Sequence, residues 1–325
     1  LTPLGTCGEQ HSVVPLALAA ESGPQSIMLE LNPNENINRK KPPLVYQIRP
    51  TRSVEDVLTI RNFSRDTAYA VKVYAVDSLQ GGNGSIAFQL ENRPRNNIGQ
   101  WVKFDQQLFT VEAGSTVFAP YRIEIPENTA PGTFQGGLVA EILPAEALAT
   151  LSSPAGNLNT AQSQVRIVPR LIEPLLISIP GRKNLNYSLD DFSIHQRDGK
   201  PCFHLVFSNR SNILLFGQAK LSIAGTMLAD PYVMAVNDLT VLQNESLDRA
   251  MHFTNPPLWG GYRATLELEV YEFNAATGQM VLLDTLTRQL EFSIVPWPCI
   301  IAFLLLIIVL IVAEHYRRRY LRARL

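Results

Sequence analysis

Hydrophobic and polar positions along this chain follow two regimes. Up to about residue 290 the apolar residues come in short runs. Residues 54–62, 68–76 and 117–125 are rich in β-branched and aromatic side chains and predict strands. Turn chemistry separates them at Ser64-Arg65-Asp66, Gly81-Gly82-Asn83-Gly84 and Ala113-Gly114. Strict alternation is clearest in residues 121–125 and 266–270, where one face of the strand must meet water. No segment before the C-terminal apolar run carries a convincing 3.6-residue stripe. Short strands recurring between turns predict an all-β body of antiparallel, immunoglobulin-like sandwiches.

The second regime begins at Phe292, from which 22 residues run to Ala313 without a formal charge. At 1.5 Å per residue, about 20 such residues cross a bilayer core about 30 Å thick. A buried core helix of this length would keep a polar face. Trp297 and Tyr316 bracket the run at the depths that amphipathic aromatics favour. Arg317, Arg318, Arg319, Arg322 and Arg324 abut its C-terminal end, which the positive-inside rule places in the cytoplasm. The expectation is a single-pass protein of the cell membrane with its N-terminal body extracellular. Such a body is exported, and a chain that starts at Leu1 without Met or a basic leader reads as having already lost its signal peptide.

Within the body, residues 144–164 are rich in Ala, Ser, Asn and Thr and read as a long loop. Strand character resumes at 165–168 and 175–179, and closes the first domain. Further strands are expected at 203–207, 213–216, 220–223, 262–273 and 281–295, the last running almost directly into the apolar segment. The predicted organisation is an N-terminal extension, 1–25, poorly ordered; a first sandwich, 26–180; a second sandwich, 181–295; one transmembrane α-helix, 296–316; and a basic cytoplasmic tail, 317–325.

Composition narrows the function. With 46% hydrophobic and 18% charged residues the chain is not disordered, and three cysteines make no disulfide-dense scaffold. Cys299 sits in the apolar run, which leaves Cys7 and Cys202 either as a bridge or as separate thiols. A net charge of −1 provides no global field for nucleic acid, which is excluded as a partner. The histidines are scattered, and alternation puts His204 on the face opposite Phe203 and Leu205, at the surface. Asp190 and Asp191, as strand neighbours, should point to opposite faces. Asn32-Pro33-Asn34-Glu35-Asn36 reads as a plain loop, without the spacing of a calcium site. Asn62, Asn83, Asn186, Asn209 and Asn244 each begin an Asn-x-Ser triplet, to which no glycan is assigned. No catalytic residue, metal ligand or cofactor is expected, and the chain reads as a non-enzyme.

Two motifs carry a resemblance. Ile125-Pro126-Glu127-Asn128-Thr129-Ala130-Pro131-Gly132-Thr133-Phe134-Gln135-Gly136-Gly137-Leu138, with residues 58–64 and Gly99-Gln100-Trp101, resembles the N-terminal domain of WxL-interacting proteins. Asn255-Pro256-Pro257-Leu258-Trp259-Gly260-Gly261-Tyr262 is similar to that family's second domain. These are anchored surface proteins of Gram-positive bacteria whose first domain is assigned to peptidoglycan binding. The chain has no Trp-x-Leu of its own, which suits an interactor of such proteins.

The resemblance implies a membrane-anchored adhesion or scaffold protein of the cell envelope. Its expected partners are the lipid bilayer, peptidoglycan and a surface protein. The alternative is an accessory structural subunit of a membrane complex or surface filament, with the other subunits as partners. Candidate contacts are the 81–84 turn, the 144–164 loop, and Arg93, Arg95 and Trp101, where the indole either stacks on sugar rings or fills the core.

Overall fold

The computed structural model describes residues 29–33, 44–143, 169–197, 200–226, 228–254, 256–257, 259–295 and 297–322. The first domain contains β1 (Leu29–Pro33), β2 (Leu44–Gln47), β3 (Ser53–Asn62), β4 (Tyr69–Gln80), β5 (Ile86–Phe88), the short α1 (Ile98–Trp101), β6 (Val102–Phe104), β7 (Leu108–Val111), β8 (Thr116–Glu124), β9 (Gly132–Leu143) and β10 (Arg170–Ile179). The second contains β11 (Tyr187–Arg197), β12 (Lys200–Asn209), β13 (Leu215–Gly225), β14 (Tyr232–Val241), β15 (Glu245–His252), β16 (Gly260–Asn274) and β17 (Gln279–Ile294). The long apolar helix α2 (Trp297–Arg322) follows directly.

Each domain is a sandwich of two sheets. In the first, β1-β3-β8-β6 faces β2-β10-β9-β4-β5, with β7 also paired to β4. In the second, β11-β12-β15 faces β14-β13-β16-β17. Pairing among the described strands is antiparallel except for β2, which runs parallel to β10 from Leu44↔Leu175 to Gln47↔Ser178. The domains repeat one topology: β3, β4, β7, β8, β9 and β10 take the places of β12, β13, β14, β15, β16 and β17.

Alternation builds both cores. Along β8, Ala119, Tyr121 and Ile123 are buried while their neighbours face water. Along β16, Tyr262, Ala264, Leu266, Leu268 and Val270 do the same. A large aliphatic or aromatic side chain buried in this way contributes about 1.5–3 kcal/mol. Two of the expected strands, 213–216 and 220–223, merge into β13, whose register against β14 shifts between Gly217 and Ala219. The strand expected at 165–168, the 144–164 loop and the 1–25 extension lie outside the described residues.

The repeated topology carries a repeated corner. Asn62 ends β3 with Nδ2 2.8, 3.0 and 3.1 Å from the carbonyls of Thr67, Val111 and Glu112, and Oδ1 accepts from Ser64 N at 2.9 Å. Asn209 ends β12 with Nδ2 2.9, 3.0 and 3.1 Å from the carbonyls of Ile213, Val241 and Leu242, and Oδ1 accepts from Ser211 N at 2.9 Å. Both amides are buried, and each closes a corner by donating to carbonyls at the ends of neighbouring strands.

The sandwiches meet through hydrogen bonds to backbone. The Gln80 amide acts like a strand residue, donating to Thr240 O at 3.0 Å and accepting from Leu242 N at 2.9 Å. Gly84, at φ +76°, sits against Leu239 and Leu247, and its carbonyl accepts from Thr240 N at 3.0 Å. A β-carbon at Gly132 would lie 2.2 Å from Asn212 O, so only glycine admits this approach. Asn212 Nδ2 donates to Pro131 O at 2.9 Å and Asn212 O accepts from Thr133 N at 3.2 Å. The 81–84 turn, expected to meet an outside partner, is therefore spent largely on the second domain. The physical reason is that its glycines let backbone approach backbone.

Candidate functional site

The outer face of the six-stranded sheet holds a charged basin built around one tyrosine. Alternation along β4 sends Val71, Val73 and Ala75 to the core and Tyr74 and Val76 to the opposite face, where Val139, Phe88 and Ile172 surround them. The Tyr74 hydroxyl donates to Glu141 on β9 at 2.5 Å. Burial, and then this hydrogen bond to a carboxylate, hold the phenol well above its ordinary range, so it remains a neutral donor. Three cations ring it: Lys72 Nζ and the guanidinium carbons of Arg95 and Arg170 lie 6.0, 5.8 and 5.7 Å from the ring centre. Lys72 pairs with Glu91 at 2.6 Å, and Arg95 lies 3.8 Å from the same carboxylate. Arg170 donates to Gln89 O at 3.1 Å through Nη2, while its Nε lies 3.7 Å from Glu141 without making a hydrogen bond.

Tyr74, Glu91, Arg95, Glu141 and Arg170 line an open basin of about 620 Å³, with Leu90 and Asn92 on its margin. Two guanidiniums beside two carboxylates and a phenol hydroxyl suit a polar ligand that presents a carboxylate or phosphate beside hydroxyl or amide groups.

The sequence-level candidates separate here. Arg95 lies in the basin wall. Arg93 is exposed on the same segment, outside the lining. Trp101 requires correction as a stacking surface: it is 3% exposed, with Phe134 edge-on at 4.8 Å, because α1 turns it into the core. Asp77 fixes that turn, its carboxylate accepting from Asn96 N at 2.7 Å and Gly99 N at 2.9 Å. Arg170 and Glu141 carried no sequence signal, being isolated charges in apolar strands. Only the register Arg170↔Glu141 brings them together. Of the helix flanks, Tyr316 is exposed and Arg317 pairs with Glu314 at 3.2 Å. Trp297, Arg318 and Arg319 are placed on α2 by backbone only.

The second sandwich groups histidines on the outer face of its three-stranded sheet. His195 and His204 meet edge-on at 5.1 Å, and His204 Nδ1 lies 3.3 Å from Asp248. His204 faces away from the buried Phe203 and Leu205, as alternation predicts, but is mostly covered there, its side chain being 13% exposed. Ser193 lies 3.4 Å from His195 but donates to Asp191 at 2.7 Å, which is not the geometry of a nucleophile and its base. A bulge between Leu189 and Asp191 breaks the expected facing of the aspartates. Hydrogen bonds from the Ser188 and Ser208 hydroxyls hold the Asp190 carboxyl below its ordinary range. Among the described residues no group of three or more His, Cys, Asp or Glu side chains could hold a metal ion. Cys202 is buried and disulfide-bonded, and its partner lies outside the residues whose side chains are described.

No protein-family model matches this sequence, and no curated protein matches it. Solved structures similar to it include the class 5 fimbriae chaperone CfaA, at 11% identity over 78% of this chain and 97% of that one, with a TM-score of 0.38. The Pseudomonas aeruginosa CupB2 chaperone has 13% identity over 76% and 96%, with a TM-score of 0.38. The E. coli chaperone DraB has 10% identity over 82% and 96%, with a TM-score of 0.37. At such low scores these are likenesses only. The fold that stands on strand pairing is two tandem immunoglobulin-like sandwiches followed by an apolar helix, 18 residues of which have a mean hydropathy of 2.2.

Proposed function

We propose that this chain is a non-enzymatic scaffold of the cell envelope, of the WxL-interacting type, held by α2 in the membrane with both sandwiches on the outside. The first sandwich binds peptidoglycan, and the body as a whole carries a surface protein partner. The observation that carries this reading is the Tyr74 basin, a polar hollow lined by two arginines and two glutamates on the domain farther along the chain from the helix. Peptidoglycan offers what such a hollow accepts: carboxylates on its stem peptides beside sugar hydroxyls and amides. The disulfide at Cys202 accords with an oxidising, exported location.

The test is binding of the detergent-solubilised full chain to purified cell-wall peptidoglycan. Arg170→Ala and Arg95→Ala each remove one charged donor, worth about 1.5–3 kcal/mol, and should weaken binding roughly ten- to a hundredfold. Wild-type binding that neither substitution changes would remove the basin from the account. No binding at all would favour the other reading, an accessory subunit of a membrane complex.

A further inference from the structure

The second sandwich ends at the helix in a band that carries no charge on its two longest strands. The β16–β17 ladder begins with Gly260 opposite Ile294, so Trp259 lies one position before the ladder and level with Val295. Only Val295 and Pro296 separate the strand from the first residue of α2. Two residues of chain reach at most about 7 Å, so the Trp259 backbone lies within about 10–15 Å of the helix start. Trp259 and Val295 are 56% and 40% exposed, whereas Trp101 in the first sandwich is buried. The Tyr262 hydroxyl donates to Trp259 O at 2.9 Å and holds the indole-bearing turn against the end of the sheet. On these strands the first charged residues above the helix are Arg263 and Glu291, which pair with one another at 2.7 Å.

Helix length fixes how close this band comes to lipid. From Trp297 to Ala313 the helix has 17 residues without formal charge. They span about 25 Å, a few ångströms less than the roughly 30 Å hydrocarbon core. A short span draws its flanks toward the bilayer rather than holding them away from it. The residues just above α2 must then lie in the headgroup layer, where tryptophan is favoured because its ring is apolar and its N–H needs a polar partner.

Resting on the anchor reading above, we infer that Trp259 is a second membrane contact: the turn before β16 sets its indole into the lipid interface beside the helix. The sandwich is thereby held at two points, which restrains its swing about the Val295-Pro296 connection.

The experiment is tryptophan fluorescence of the full chain reconstituted into phosphatidylcholine–phosphatidylglycerol vesicles, with spin-labelled lipids as the membrane quencher and acrylamide as the aqueous one. Trp297→Phe leaves Trp259 and the buried Trp101, and Trp259→Phe leaves Trp297 and Trp101. Trp259 is 56% exposed, so its replacement leaves the core intact. The expected result is that Trp297→Phe protein still shows emission quenched by headgroup- and shallow-labelled lipid and shielded from acrylamide. Quenching of Trp259→Phe protein, with none in Trp297→Phe protein, would overturn the second contact and keep the anchor. Absence of lipid quenching in both would overturn the anchor and the contact with it.

Discussion

At the scale of single residues, Asn62 and Asn209 illustrate how a polar side chain can hold a β corner. Each amide donates to three carbonyls, of which Glu112 O and Leu242 O also accept from the Ser115 and Glu245 backbone. Alanine would remove these hydrogen bonds and the Oδ1 acceptor of the Ser64 or Ser211 N–H, at about 1–3 kcal/mol for the site. Asn209→Ala and Asn62→Ala should each lower the unfolding free energy from denaturant titration by that amount, whereas Asn186→Ala, at an exposed position, should not. Equal stability of all three variants would refute the corner role. In the sequence these residues look like any other Asn-x-Ser triplet, because the carbonyls they serve lie up to 50 positions away. Trp101 raises the same difficulty. Its basic neighbours were legible, but the Asp77 carboxylate that turns α1 inward was not.

At the scale of elements, legibility followed alternation. β3, β8 and β16 each bury one face and wet much of the other, and their residues say so directly. β14 and β15 were not foreseen because so much of both faces is exposed, as Tyr232-Val233-Met234-Ala235-Val236-Asn237-Asp238 shows in its alternating but weakly buried pattern. The bulges in β11 and β13 were invisible for a related reason: an extra residue changes the facing of a strand without changing its composition. The domain contact hangs on elements meeting end to end, with the Gln80 amide joining the end of β4 to the end of β14. Two net hydrogen bonds of about 1 kcal/mol each restrain the angle between the sandwiches there. Gln80→Ala should leave each sandwich folded while broadening the distribution of interdomain distances read by paired spin labels. An unchanged distribution would mean that the Gly84 and Asn212 contacts suffice.

For the whole molecule, the sequence announced the order of parts: β-rich body, then apolar helix, then basic end. It did not announce the basin, whose members come from β4, β9, β10 and the segment before α1, brought together only by sheet register. Nor did it show that the glycine turn after β4 faces inward to the second domain. On the proposed reading, the two sandwiches form an arm with a binding hollow on the first domain and a lipid contact at the end of the second. Such an arm would hold its partner at a set distance from the membrane. The most direct test is covalent crosslinking of intact cells that carry this chain, followed by its purification and identification of what remains attached. The scaffold account predicts peptidoglycan fragments and a secreted surface protein, recovered in varying amounts. A fixed-stoichiometry set of integral membrane subunits, with no wall material, would contradict it.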